Sequence, residues 1–180
     1  MLKLKYVPLA IAPVFIVQVL FFAFVAAVSA FAADPVATLS VPGKAVSGNM
    51  QLGAEIRGVC HAKGNGEVTF VLTFKALSEA DAFFPLGTYE GPDGKAAPME
   101  VHLTRAPKPV TFNFKSSAGW FGVKNDYLLS LRPTDTWTFL KQASDATAVS
   151  VSVVQGAKKM VLTFDNPGTE IAKFQAACKK

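Results

Sequence analysis

Cys60 and Cys178 are the chain's two cysteines, and His61 and His102 its two histidines. A structural zinc site takes four Cys or His ligands at close spacing. No C-x-x-C occurs, and these four residues show no metal spacing, so no metal and no cofactor is expected. A serine hydrolase needs a nucleophile, a base and a donor shell. The chain has no G-x-S-x-G, and His102 falls on the polar face of a strand, where it reads as a surface residue. Walker and dinucleotide fingerprints are absent as well. Glycoside hydrolysis needs two positioned carboxylates, and Glu79, Asp81, Glu90 and Asp93 cluster in one connecting segment. A solvated acidic loop is the plainer reading of that cluster. No catalytic residue is assigned, and the chain reads as a non-enzyme.

Two aromatic segments offer a different chemistry. Ser116-Ser117-Ala118-Gly119-Trp120-Phe121-Gly122 places large rings between glycines. Phe83-Phe84-Pro85-Leu86-Gly87-Thr88-Tyr89, in the acidic segment, is a second aromatic stretch that invites the same reading. Aromatic side chains anchor interfaces. Trp120, Phe121, Phe83, Phe84 and Tyr89 are therefore the candidate binding surface, with coverage of the core as the competing role. Nucleic acid is not an expected partner. The isoelectric point is about 9.3, but the lysines are dispersed and no basic run is interleaved with stacking aromatics.

The elements that hold these residues begin after an apolar leader. Of the 180 residues, 51% are hydrophobic and 17% charged. The excess sits at the front: no charged residue lies between Tyr6 and Ala33. Lys3 and Lys5 form a basic n-region, Val7–Val28 an apolar core, and Ala30-Phe31-Ala32 a cleavage signal. Residues 1–32 thus read as a signal peptide cut before Ala33. An uncleaved N-terminal anchor is the alternative, since the run is long enough to span a bilayer. Loss of Lys3 and Lys5 would lower the net charge of +5 by two. Either way the rest is exported, to the periplasm or beyond. With the leader cut, no stable membrane insertion is expected. In an oxidising compartment one intramolecular pairing is available, Cys60–Cys178. A reactive thiol is the alternative to this bond.

Residues 33–180 form one domain dominated by period-two alternation. Strands are expected at Val36–Val41, Lys44–Leu52, Ala54–Ala62, Glu67–Lys75, Pro98–Arg105, Pro109–Ser116, Asp126–Arg132, Thr147–Val154 and Lys158–Phe164. Each of the later ones has an apolar and a polar face, as in antiparallel sheets. Asp135 is placed to cap a helix over Thr136–Ala143. Asn166 is a candidate N-cap for a closing helix over 167–178, with Pro167 in its first turn. Ile171, Phe174 and Cys178 share one face of it, which points Cys178 toward the sheet that carries Cys60. The expected fold is an antiparallel β-sandwich of about seven or eight strands with a C-terminal helix tied on by a disulfide.

Two stretches, Ile56-Arg57-Gly58-Val59-Cys60 and Met160–Gly168 followed by Ala172 and Cys178, resemble the invasion-associated locus B family of exported bacterial proteins. The likeness lies in the order of parts: leader, early strand with Cys, further strands, strand-turn-helix ending in Cys. Ile56 stands where that family carries a Trp, and its extra cysteines are missing. The resemblance implies an envelope β-sandwich with a non-enzymatic role and supplies no catalytic residues. The expected function is an envelope interaction or accessory protein that binds a protein or envelope component through its loop aromatics. The alternatives are a small envelope hydrolase using the carboxylates of residues 79–93, or an inhibitor or carrier holding a ligand between the sheets.

Overall fold

The chain divides into Met1–Asp34 and Pro35–Lys180. The computed structural model describes residues 35–62, 65–86, 96–121 and 125–179 of it, without the side chains of Leu77, Trp120 and Phe121. The leader therefore lies outside the described residues.

Eight strands follow in order: β1 (Ala37–Ser47), β2 (Met50–Ala62), β3 (Asn65–Thr73), β4 (Ala97–Thr104), β5 (Val110–Phe121), β6 (Asp126–Leu131), β7 (Ala148–Gln155) and β8 (Lys158–Asp165). Among the described residues three α-helices accompany them: α1 (Ala80–Phe83), preceded by a 3-10 turn at Leu77–Glu79, α2 (Pro133–Ala143), and α3 (Gly168–Cys178) after β8. The strands are antiparallel neighbours in the order β1-β2-β3-β6-β5-β4-β7-β8, and β8 returns to β1. The fold is thus mainly antiparallel β with a C-terminal helix, but it is a closed barrel and not the expected sandwich. The physical reason is simple. Alternation states that each strand has one buried face; two stacked sheets and one sheet closed on itself both satisfy it.

Closure is tight at one point. Lys44–Ser47 of β1 pair with Met160–Thr163 of β8. A side chain at Gly43 would overlap the Phe164 ring and the Thr163 carbonyl oxygen. Glycine there lets the two strands meet. The segment read as one strand, Lys44–Leu52, is in fact the end of β1 and the start of β2. Gly48, at φ 57°, makes the turn between them.

Inward positions fill the barrel. Phe70 of β3 lies edge-on to Phe139 of α2, with ring centroids 5.5 Å apart, and 6.0 Å from Phe164 of β8. Helices α2 and α3 both follow strands that end on one side of the barrel, and they cover that side. The opposite end is covered by the segment from α1 to Leu86. Phe83 meets Phe74 edge-on at 5.8 Å, and the buried Tyr127 hydroxyl donates to the Leu86 carbonyl at 2.9 Å. Outward positions such as Glu100, His102, Thr111, Asn113 and Lys115 are exposed. This polarity is the reverse of a barrel that faces lipid. Among the described residues no helix is long and apolar enough to cross a membrane.

The helix starts differ from expectation. Pro133 begins α2, two residues before Asp135, and Arg132 occupies the N-cap. At α3, Pro167 is the N-cap and Asn166 sits at φ 51°, so its side chain does not cap. Asn166 instead serves the turn out of β8, a left-handed position that Asn tolerates.

The Gly43 contact yields a direct test. Gly43→Ala is expected to cost about 3 kcal/mol, the upper range for overpacking. Gly53→Ala, where a Cβ meets open space, should leave the midpoint of thermal unfolding nearly unchanged. Denaturation followed by circular dichroism measures both.

Candidate functional site

Cys60 and Cys178 form the disulfide, with Cα atoms 5.7 Å apart. The bond joins β2 to the last residue of α3, and both residues are fully buried. Gly66 on β3 admits it: a Cβ there would stand 3.0 Å from the Cys178 sulfur. The two thiols are consumed in a structural link, which excludes the reactive-thiol alternative. A disulfide of this kind belongs to a non-cytoplasmic compartment.

The other residues singled out for chemistry are dispersed. His61 is exposed at the end of β2. His102 lies on β4, not a neighbour of β2, and its Nδ1 is 3.0 Å from the Thr111 hydroxyl. Among the described residues no three His, Cys, Asp or Glu side chains come together as a metal site. Glu79 is half-buried beside α1 and Asp81 is exposed within it. Glu90 and Asp93 lie outside the described residues.

The aromatic surface is corrected in part. Phe83 and Phe84 are 1% and 0% exposed. They are plugs of the barrel end, Phe83 lying edge-on to Phe74 and Phe84 following it into the core, and they offer no contact surface. The segment from Ser116 to Phe121 is strand, not loop. Trp120 pairs with Tyr127 and Phe121 with Asp126 along β6. The side chains of Trp120 and Phe121, and the whole of Tyr89, lie outside the described residues.

Two outer features were not singled out from sequence. One is an ion-pair network over β1, β2, β3 and β6. Arg57 contacts Glu55 at 2.7 Å and Asp126 at 3.7 Å. The Ser40 hydroxyl donates to Glu55 and the Thr73 hydroxyl to Asp126, at 2.6 and 2.8 Å. The Asp126 side chain is only 2% exposed. With its carboxylate paired and hydrogen-bonded, the network fastens four strands; buried charges persist only when so compensated.

The second feature is a hollow of about 310 Å³ on the outer face of β5, β4, β7 and β8. The strand register assembles it. Pro98 is paired with Lys115, Glu100 with both Asn113 and Ser152, and Val154 with Lys159. Val154 is 52% exposed, giving an apolar floor beside two lysines. None of the ion pairs among the described residues uses Lys115, Lys159 or Glu100. These residues were legible only as the polar sides of their strands. Their neighbourhood depends on cross-strand register, which alternation within one strand does not encode.

The class of protein defined by this geometry is a disulfide-tied, helix-covered, eight-stranded antiparallel barrel. Comparison with known proteins gives no matching family model, no matching curated relative and no matching solved structure.

The covalent link can be tested on its own. Replacing both Cys60 and Cys178 by Ser should lower stability by up to about 4–5 kcal/mol, the loop-entropy value for so long a closure. Guanidinium unfolding of the two forms measures it. Ellman titration of the unfolded, unreduced protein should find no free thiol.

Proposed function

We propose that the chain is an exported, non-enzymatic envelope accessory protein that acts by binding a protein or another envelope component on the outside of its barrel. Residues 1–32 serve in this reading as the signal peptide, removed before Ala33.

The observation that carries the proposal is the filled interior. Phe70, Phe139, Phe164 and Tyr127 are fully buried within it, and helices cover one end and the α1 segment the other. A carrier that holds its ligand inside would need the volume these rings occupy. Recognition is left to the exterior, where the hollow beside Val154 combines an apolar floor, hydrogen-bonding Asn113 and Ser152, and lysines 115 and 159, which take part in no ion pair among the described residues. Such a mixture of a few polar groups around apolar surface suits a specific contact. The surplus of lysine over Glu100 favours a partner with negative charge. The layout shared with the invasion-associated locus B proteins supports the same envelope role.

The test compares envelope components retained by the native protein with those retained by a Lys115→Glu, Lys159→Glu variant. The reading expects a partner that survives salt washing on the native protein and is lost from the variant. Equal retention by both proteins would move the contact surface elsewhere.

A further inference from the structure

We propose that the β5 edge, Val110–Lys115, is a self-pairing surface through which two copies of the chain associate about a two-fold axis at Phe112. The argument begins with the barrel's incomplete seams. On its β4 side, β5 is paired from Val110 with Leu103 to Ser116 with Ala97. On its β6 side, pairing runs only from Ser116 with Leu131 to Phe121 with Asp126. Among the described residues, Val110–Lys115 are thus held on one side alone. β1 and β3 have half-paired stretches too, but helices pack there: α3 on β1 and β2, α2 on β3.

A strand edge of this kind presents unpaired N–H and C=O groups and templates the addition of another strand. The sequence of the stretch decides which strand fits. Val110, Phe112 and Phe114 face inward, while Thr111, Asn113 and Lys115 are exposed. Phe112 is only half-buried, and its ring stacks on that of Phe114 at 5.8 Å with 5° between planes. In an antiparallel pair, residues directly opposite share a face.

A second copy satisfies that condition without any adjustment. With Phe112 on the axis, Phe112 opposes Phe112, Thr111 opposes Asn113 and Val110 opposes Phe114. Aromatic meets aromatic, polar meets polar, and apolar meets apolar. Lys115 falls opposite Pro109, so no like charges are set across the seam. The contact is isologous, as closed dimers require. Asn113 and Lys115 also border the outer hollow, so pairing would bring the hollows of two copies together across the axis. Six residues of strand bury too little area for a permanent dimer. The association is therefore reversible and dependent on concentration.

Sedimentation velocity on the oxidised chain, in mild detergent if its leader is retained, should show a monomer–dimer equilibrium that shifts toward dimer with concentration. Phe112→Lys and Phe112→Glu should each be monomeric, and an equal mixture of the two should regain the dimer. A monomeric native protein at every concentration overturns the proposal, including the case where this edge serves a foreign strand. So does a native dimer that persists in both charged variants. Should the charged variants fail to fold, Phe112→Cys decides. It should form a disulfide-linked dimer on oxidation while Val46→Cys, exposed on β1 across the barrel, does not. Equal cross-linking of the two would place the contact elsewhere.

Discussion

Closure of the sheet onto itself is the constraint on which the rest depends. β1 pairs with β2 along its whole length, from Ala37 to Ser47, but with β8 only through Lys44–Ser47. A barrel joined by so short a seam is open above it, and α3 lies there. Helix α3 buries Ile171 and Phe174 against the barrel, Phe174 coming close to Gly58 and Gly66. The disulfide fixes the helix at its far end. Glycine at 43 and a C-terminal cysteine at 178 thus serve one purpose: they let the last strand and helix complete what the first two strands begin. Closing the chain over this distance is entropically costly, and a covalent link from β2 to the closing helix removes much of that cost from the unfolded state.

The closed interior in turn decides which side chains are left to face outward. Small barrels fill with side chains, and wider ones hold ligands. Here phenylalanines from β3, β8 and α2 meet at the centre. The apolar character of the sequence is therefore spent on a core, and the outer surface inherits the polar half of every alternating strand. On one side of the barrel those polar positions neutralise one another through Arg57, Glu55 and Asp126. On the other, around Glu100, Lys115 and Lys159, no ion pair forms among the described residues. The two faces differ because charge placement on neighbouring strands is independent of the alternation that builds the fold.

Much of the fold was legible because the alternation is so regular. Six expected strands, from Glu67–Lys75 to Lys158–Phe164, correspond to β3 through β8, with boundary shifts of a few residues. Helical spacing of Ile171, Phe174 and Cys178 located α3 and turned Cys178 inward. What failed did so for definite reasons. Ser116–Gly119 are small residues with weak strand preference, yet β6 supplies Leu128–Leu131 as partners, and pairing overrides propensity. The Phe83-Phe84 segment looked equally fit for surface or core, because nothing local distinguishes an exposed aromatic from one that plugs a barrel end. Asp126 gave no sign of burial. Its partner Arg57 lies far off in sequence, and their approach requires the β2–β3 and β3–β6 registers together.

The same limit explains why the outer hollow was invisible. Pro98, Asn113, Val154 and Lys159 come from four strands, and barrel order differs from chain order. β4 and β7 are neighbours although β5, β6 and α2 separate them in the chain. A surface assembled across such a join has no contiguous motif, and its residues read as ordinary solvent-facing positions. For barrels with a filled lumen this is the general situation. The core is encoded strand by strand and is legible early. An outer surface is encoded across strands, and it emerges only when closure has set the order in which they lie.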